Sequence, residues 1–246
     1  MFNLLHRLSS PPSFFAFAGR ALPWLLGGAL LLIAAGCYQG LVVAPADYQQ
    51  GDSYRIMFVH VPSAWMSLFI YMVMAAAGAI ALVWRIKLAE VIASASAPIG
   101  ASFTFLTLVT GALWGKPMWG AWWVWDARLT SELILLFLYL GYMGLESAIP
   151  DKRSAARATA ILALVGSVNI PIIHFSVEWW NTLHQGATVT KLGAPSIHPS
   201  MLLPLLLMAV GFKLFYFANL LVRARCQMLE REQRSHWVST LIKEAA

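Results

Sequence analysis

A run of tryptophans, a set of histidines and two isolated arginines are the residues of this 246-residue chain with distinctive chemistry to offer. The run is Trp114-Gly-Lys-Pro-Met-Trp119-Gly-Ala-Trp122-Trp123-Val-Trp125-Asp126-Ala-Arg128, and it holds five of the chain's eleven tryptophans. Tryptophan joins a large flat apolar face to a single N–H donor. A cluster of them therefore suits either a flat aromatic ligand or a membrane interface. Interfacial belts account for Trp24, Trp65 and Trp84, but they do not account for five in one connection. If Pro117 opens a short helix, Met118, Trp122 and Trp125 share one face and Trp119, Trp122 and Trp123 an overlapping one. Such a helix would lie in the interface plane with its aromatic face toward a ligand.

The histidines are His6, His60, His174, His184, His198 and His236. A neutral imidazole can hold haem iron or another borderline metal, and two histidines from different segments can fill both axial positions. A single interfacial histidine is more often just a hydrogen-bonded polar residue. His60 precedes Val61-Pro62, so proline is expected to stiffen the approach to the second apolar run. His184 follows Glu178-Trp179-Trp180-Asn181, an aromatic cluster expected to wall it. His174 lies inside the fifth apolar run, and His198 precedes Pro199. His60 and His184 rank first. Arg55 and Arg128 stand next to these features, and a guanidinium grips carboxylates through two parallel N–H bonds. If the ligand is haem, they are candidates for holding its propionates. The competing reading pairs Arg128 with Asp126 or Glu132.

The elements that position these residues follow from composition. With 59% hydrophobic and 11% charged residues, the chain has more apolar surface than a soluble core of its size hides, so an all-α polytopic membrane protein is expected. Six uncharged or nearly uncharged runs can each span a bilayer: 21–43, 63–84, 92–113, 129–149, 158–177 and 201–222. Ala34-Ala35-Gly36-Cys37 has the outline of a lipoprotein cleavage site, but the apolar run continues past it. An uncleaved first span is expected.

Six spans place both termini on one side. Arg7, Arg20, Arg85, Lys87, Lys152, Arg153, Arg157, Arg223, Arg225, Arg231, Arg234 and Lys243 gather there, against Arg55, Lys116, Arg128 and Lys191 opposite. The positive-inside rule makes the basic side cytoplasmic. The three longer connections, 44–62, 114–128 and 178–200, then face outward together with four of the histidines. Function is expected on that face.

The net charge of +6 is distributed as topology signals, which removes the argument for nucleic acid. Cys37 and Cys226 form no C-x-x-C, so neither a redox motif nor a covalent haem attachment is present. There is no G-x-x-x-x-G-K-[ST] loop and no H-E-x-x-H, and no enzymatic role is expected. The chain reads as a single domain over 1–246, with a cytoplasmic tail from Arg223 that forms a short helix. Lys213, deep in the sixth run, either snorkels or meets Glu146 on the fourth.

The motif Trp114-Gly115-(three residues)-Trp119-Gly120-(two residues)-Trp123-Val124-Trp125-Asp126-(one residue)-Arg128-Leu129-Thr130 resembles the tryptophan-rich "WWD" signature of a family of haem-handling membrane proteins. That family contains the C subunits of bacterial cytochrome c maturation (CcmC), the longer CcmF proteins and the CcsA proteins. The length, the six spans and Arg55-Ile-Met-Phe-Val-His60-Val-Pro-Ser-Ala-Trp65 are similar to the C branch over essentially the whole chain.

The resemblance implies a protein of the bacterial inner membrane that presents haem b at its periplasmic face, with His60 and His184 as axial ligands. Trp114, Trp119, Trp122, Trp123, Trp125 and Asp126 would form the platform beside the porphyrin. It also implies work alongside an ATP-binding cassette pair (CcmA and CcmB), a small single-span protein (CcmD) and the haem chaperone CcmE, which receives the haem. Two alternatives make different demands. A b-type electron-transfer subunit needs paired histidines inside facing helices, and a permease needs polar residues along a path at mid-membrane, for which Asn169, Asn219 and Lys213 are the candidates.

Overall fold

The computed structural model describes residues 10–245 apart from Ala187, Thr190 and Leu192; His6 and Arg7 lie outside the described residues. Six helical spans are long and apolar enough to cross a membrane, which makes the chain a multi-pass, all-helical membrane protein. The first is α1 (Pro11–Tyr38), continued by a π-helical turn at Gln39–Val43. A 3-10 turn (Asp52–Ile56) leads into α2 (Met57–Trp84), and α3 (Lys87–Trp119) and α4 (Ala127–Ala148) follow. The fifth span is two helices, α5 (Lys152–Gly166) and α6 (Asn169–Trp179). The sixth is α7 (Pro199–Arg231), and a short α8 (His236–Ala245) closes the chain.

Local chemistry explains the helix starts and the tight turns. Proline stands at the first positions of α1 and α7, where its missing N–H costs no intrahelical bond. Asp126 and Asp151 cap α4 and α5 by accepting from the backbone N–H of Leu129 and Ser154, at 2.8 Å each. Burial is negligible at Asp151, and the Ser154 hydroxyl and N–H hold its carboxyl below the usual range.

Most helices outrun the apolar stretches that announce them. α3 begins before residue 92 and continues past Leu113 to Trp119, and α7 continues to Arg231 instead of ending near Val222. Hydropathy marks only the part inside the hydrocarbon, whereas a helix once nucleated extends through residues of good propensity, as at 87–91 and 223–231. Propensity does not explain 114–119, which stay helical across Gly115 and Pro117. The fifth span breaks for a local reason. Pro171 has no N–H and its ring opposes the carbonyl four residues back, and Gly166 is a weak helix former just ahead of it. At the break the Asn169 amide donates to the Ser131 carbonyl of α4 at 2.9 Å.

α3 is the centre of the bundle, since 67% of its apolar window is buried against 17% for that of α1. Its run of Ala93, Ser94, Ala95, Ser96, Ala97, Gly100 and Ala101 is buried, and such small side chains let neighbouring helices approach closely within a membrane. α2, α4 and α7 pack around it, while α1 leans chiefly on α7. Most polar groups inside are paired, as the absence of water demands, although the buried Tyr71 hydroxyl has no partner among the described residues. Ser67 donates to the Glu132 carboxyl at 2.8 Å and accepts at its carbonyl from the Tyr139 hydroxyl at 2.8 Å.

α1 and α8 meet at one end of the bundle. Phe15 packs on Trp237 at 5.6 Å between ring centroids, with the Arg225 guanidinium 4.1 Å from the Phe15 centroid. Arg231 also pairs with Glu90 at 3.1 Å there. Lys213 does not meet Glu146. The Glu146 carboxyl accepts from Ser94 at 2.9 Å, and the Lys213 ammonium lies 4.8 Å from the centre of the Phe69 ring.

Candidate functional site

At the opposite end of the bundle the tryptophan run is divided between two environments. No separate helix opens at Pro117; that residue sits in the last turn of α3, which ends at Trp119. Gly120 ends it with φ +77°, a left-handed conformation that glycine adopts without strain. Residues 121–126 are irregular until Asp126 starts α4. Trp114 and Trp119 thus belong to α3, and, five residues apart, they point about 140° apart around its axis. Trp122, Trp123 and Trp125 belong to the link.

Those two α3 tryptophans each meet a different histidine. The Trp114 ring stands edge-on to His60 at 5.7 Å, and the Trp119 ring edge-on to His184 at 4.8 Å. His60 lies within the first turns of α2, not ahead of it, because the helix starts at Met57 and runs through Pro62. Its Nδ1 is 3.1 Å from the Thr107 carbonyl and 3.0 Å from the Thr110 hydroxyl. A carbonyl can only accept, and the Thr110 hydroxyl already donates to the Leu106 carbonyl at 2.7 Å. Nδ1 therefore carries the proton and Nε2 keeps its lone pair.

His184 is arranged in the same way by different residues. Its Nδ1 is 3.2 Å from the Asp126 carboxylate and 3.2 Å from the Thr182 hydroxyl. Thr182 donates its hydroxyl to that carboxylate and accepts from the His184 backbone N–H at 3.2 Å. Burial would raise the Asp126 carboxyl, but the Leu129 N–H, the Thr182 hydroxyl and His184 outweigh it and hold the carboxyl below the usual range. Burial lowers His184 below an ordinary histidine and Arg128 adds to this, with Asp126 opposing. Near neutral pH the site thus holds an ionised Asp126 and a neutral His184, whose Nδ1–H points at the carboxylate and whose Nε2 is open.

Two further donors are uncommitted. Arg128, in the first turn of α4, makes no ion pair and no side-chain hydrogen bond among the described residues, so neither Asp126 nor Glu132 neutralises it by contact. The indole N–H of Trp123 is buried and unpartnered. Arg55, by contrast, is largely spent. It donates to Asp52 at 2.8 Å and to the Gly40 carbonyl at 2.7 Å, in the segment that covers α3 where Trp114 donates to Gln50 at 3.0 Å.

The remaining aromatic and histidine residues fall outside this arrangement. Trp122 and Trp125 are exposed; Trp122 lies against Lys116 at 5.9 Å, and Trp125 packs edge-on to Trp123 at 5.4 Å. Trp179 stacks on Phe175 at 5.3 Å, so the wall beside His184 comes from Trp119 and not from the 179–180 pair. His174 is exposed against Phe175 at 4.7 Å. His198 caps α7 by accepting from the Ser200 N–H at 3.3 Å.

Sequence reasoning missed Thr107, Thr110 and Thr182, which orient the two imidazoles, and Gly111. Thr107 and Thr110 are three apart with Gly111 beside them, a small polar face on a helix, and that spacing is the one signal that could have marked them. A Cβ at Gly111 would sit 3.0 Å from His60 Cε1. Each imidazole keeps an Nε2 lone pair of the kind that ligates a borderline metal, and Arg128 and the Trp123 N–H are a cation and a donor free for an anionic group.

The family model described as Heme exporter protein C matches residues 4–239 of this chain. The chain belongs to that family. It is 53% identical over 241 residues to the heme exporter protein C of Haemophilus influenzae, with 98% of each chain covered. Against the Escherichia coli K12 protein of the same name it is 52% identical over 242 residues, again with 98% of each covered. A putative cytochrome c biosynthesis ccmC-like mitochondrial protein of Marchantia polymorpha is 50% identical over 188 residues, or 76% of this chain and 79% of that one.

Proposed function

We infer that this chain is a haem-handling membrane subunit of cytochrome c maturation, which holds haem b as cargo at the tryptophan end and presents it to a receiving protein. The observation that carries this reading is the matched pair of imidazoles. In both His60 and His184 an acceptor claims Nδ1 and leaves Nε2 open, the arrangement that fixes ring orientation and raises basicity in metal-ligating histidines. Bound haem would supply the iron for these two nitrogens and two propionate carboxylates.

The residues present suit such a cargo. Arg128 is the uncommitted cation for a propionate, and the orphaned Trp123 N–H is a second donor, whereas Arg55 would have to act with the N–H groups left over from Asp52 and Gly40. Trp114 and Trp119 wall the two histidines. The exposed Trp122 and Trp125 offer apolar surface to a docking protein. The cargo would be handed to a haem chaperone of the CcmE kind, with CcmA, CcmB and CcmD as fellow subunits, and the tryptophan end would face the periplasm across the inner membrane by the charge bias of the connections.

The electron-transfer alternative finds less support. It needs histidines facing one another at mid-span, and among the described residues His60 is near an end of α2 and His174 is exposed. The polar candidates for a permease path do not converge either: Asn169 bonds to Ser131, and Asn219 to the Phe215 carbonyl of its own helix at 2.9 Å.

The test is the absorption spectrum and pyridine haemochrome of the protein purified in detergent, followed by incubation with the chaperone. A Soret band, a b-type haemochrome and transfer to the chaperone are expected; a colourless protein that takes up no added haem would sink the reading. Gly111→Ala should weaken haem retention without unfolding the protein, because the new methyl displaces the His60 ring by a few tenths of an ångström. Occupancy equal to the parent protein would show that His60 tolerates the shift.

A further inference from the structure

We propose that the α2–α7 face centred on Lys213 is a docking surface for a partner transmembrane helix that carries a carboxylate near the middle of the bilayer. The proposal rests only on the chain's spanning a membrane and not on what the tryptophan end binds. α7 crosses the bundle from Pro199 to Arg231, so Lys213 lies about 21 Å along the axis from the first of these and about 15 Å from Arg223, the first cation beyond the apolar run. With a hydrocarbon layer about 30 Å thick, this is the bilayer centre. The flexible four-carbon stem of lysine is too short to lift its ammonium to either surface from there.

Lys213 is nevertheless exposed on the outside of the bundle. Among the described residues it makes no ion pair and no hydrogen bond, and its charge meets only the face of Phe69. Of the acidic residues in the spans, Glu90 is engaged with Arg231, Glu132 with Ser67 and Glu146 with Ser94, while Glu178 and Glu230 stand at the last turns of α6 and α7, away from the depth of Lys213. A charge facing lipid at this depth is costly and normally paired, so its counter-charge comes from outside the chain.

Charge complementarity and shape identify the occupant. Leu206 and Val210 are exposed on the same stripe of α7 as Lys213, at helical spacing, and Met72 is exposed on α2 one turn from Phe69. This is an apolar strip the width of a helix, interrupted by one cation. A lipid head group does not reach mid-membrane, and a second copy packed through this face would bring its own Lys213 against the first. A helix with an aspartate or glutamate at matching depth satisfies both the strip and the charge.

The experiment places a photoreactive benzophenone amino acid at Val210, or at Phe137 on the exposed face of α4 as a control, in the full-length protein in its own membranes. One protein adduct of defined mass is expected at Val210 and none of that mass at Phe137. Lys213→Arg should retain the Val210 adduct and Lys213→Leu should lower it at least tenfold, with expression unchanged, since leucine suits lipid. Peptide mapping should place an acidic residue within the adducted span. Exchanging that residue for lysine, together with Lys213→Asp, should restore the adduct. Lipid adducts alone, an adduct with a second copy of this chain, an adduct indifferent to Lys213→Leu, or a captured span without a carboxylate would each overturn the proposal. If Lys213→Leu does not accumulate, Lys213→Gln, which keeps a polar side chain without the charge, is read against the same outcomes.

Discussion

Replacing both His60 and His184 with alanine is expected to leave the purified protein without a Soret band. Each imidazole is already oriented through Nδ1, so no large rearrangement has to precede binding through Nε2. Loss of an outer-shell partner typically lowers metal affinity about 10- to 100-fold, and loss of the ligand itself should cost at least that for each single variant. The singles should differ in kind as well as amount. His60 lies in a helix braced by Thr107 and Thr110, whereas His184 is held in a loop by Asp126 and Thr182. Added imidazole should restore a six-coordinate spectrum to both single alanine variants, because each leaves a hole of that shape beside a tryptophan edge. A Soret band of parental intensity in the double variant would refute the assignment of iron to these two nitrogens.

The second large effect is expected from Asp126→Asn. Asp126 does two jobs: it caps α4 through the Leu129 N–H, and it takes the Nδ1 proton of His184 and the Thr182 hydroxyl. Asparagine caps helices as well as aspartate does, so α4 should stay in place. Its amide has one acceptor oxygen and no charge, so it cannot serve Leu129, Thr182 and His184 together. Haem occupancy should fall about 10- to 100-fold with thermal stability nearly unchanged. Asp126→Ala should add the loss of the cap, about 1 kcal/mol of stability. If Asp126→Asn binds haem as the parent does, the carboxylate is only a cap.

The same pair sets a pH dependence. His184 is held below an ordinary histidine, so in the window from about 6.5 downward the unfolded chain takes up a proton that the folded site resists. Stability at this corner therefore falls as the pH drops through that window. Asp126, held below the usual carboxylate range, stays ionised across it, and its own contribution is lost only in stronger acid. Thermal melting of the haem-free protein should show a lower midpoint at pH 5 than at pH 7, a difference that His184→Gln reduces.

Much of the scaffold could be read from the chain because the bilayer is a strict solvent. Twenty or so apolar residues can only be a spanning helix there, and the charges flanking each run order the spans. The tryptophan run and the two histidines also stood out, since their residue types are rare enough for clustering to be visible. What could not be read was the division of labour. Hydropathy ended the third span at Leu113, and that error moved Trp114 and Trp119 out of the helix on which they actually stand. The expected aromatic face across Trp119, Trp122 and Trp123 disappeared with it, because a helix that ends at Gly120 cannot align residues on both sides of its end.

Tertiary structure alone decided which neighbour each functional group has. The contacts that orient His60 come from 47 and 50 residues away along the chain, and Asp126 reaches His184 across 58. It assigned Arg55 to Asp52 and Gly40, left Arg128 uncommitted, and turned Lys213 out toward lipid instead of toward Glu146. Sequence by itself determined the solvent, the number of spans and the chemical inventory at one end, because those depend on composition and short-range spacing. Which nitrogen carries a proton and which cation is free depend on distances of about 3 Å between segments far apart in sequence, and only packing sets those.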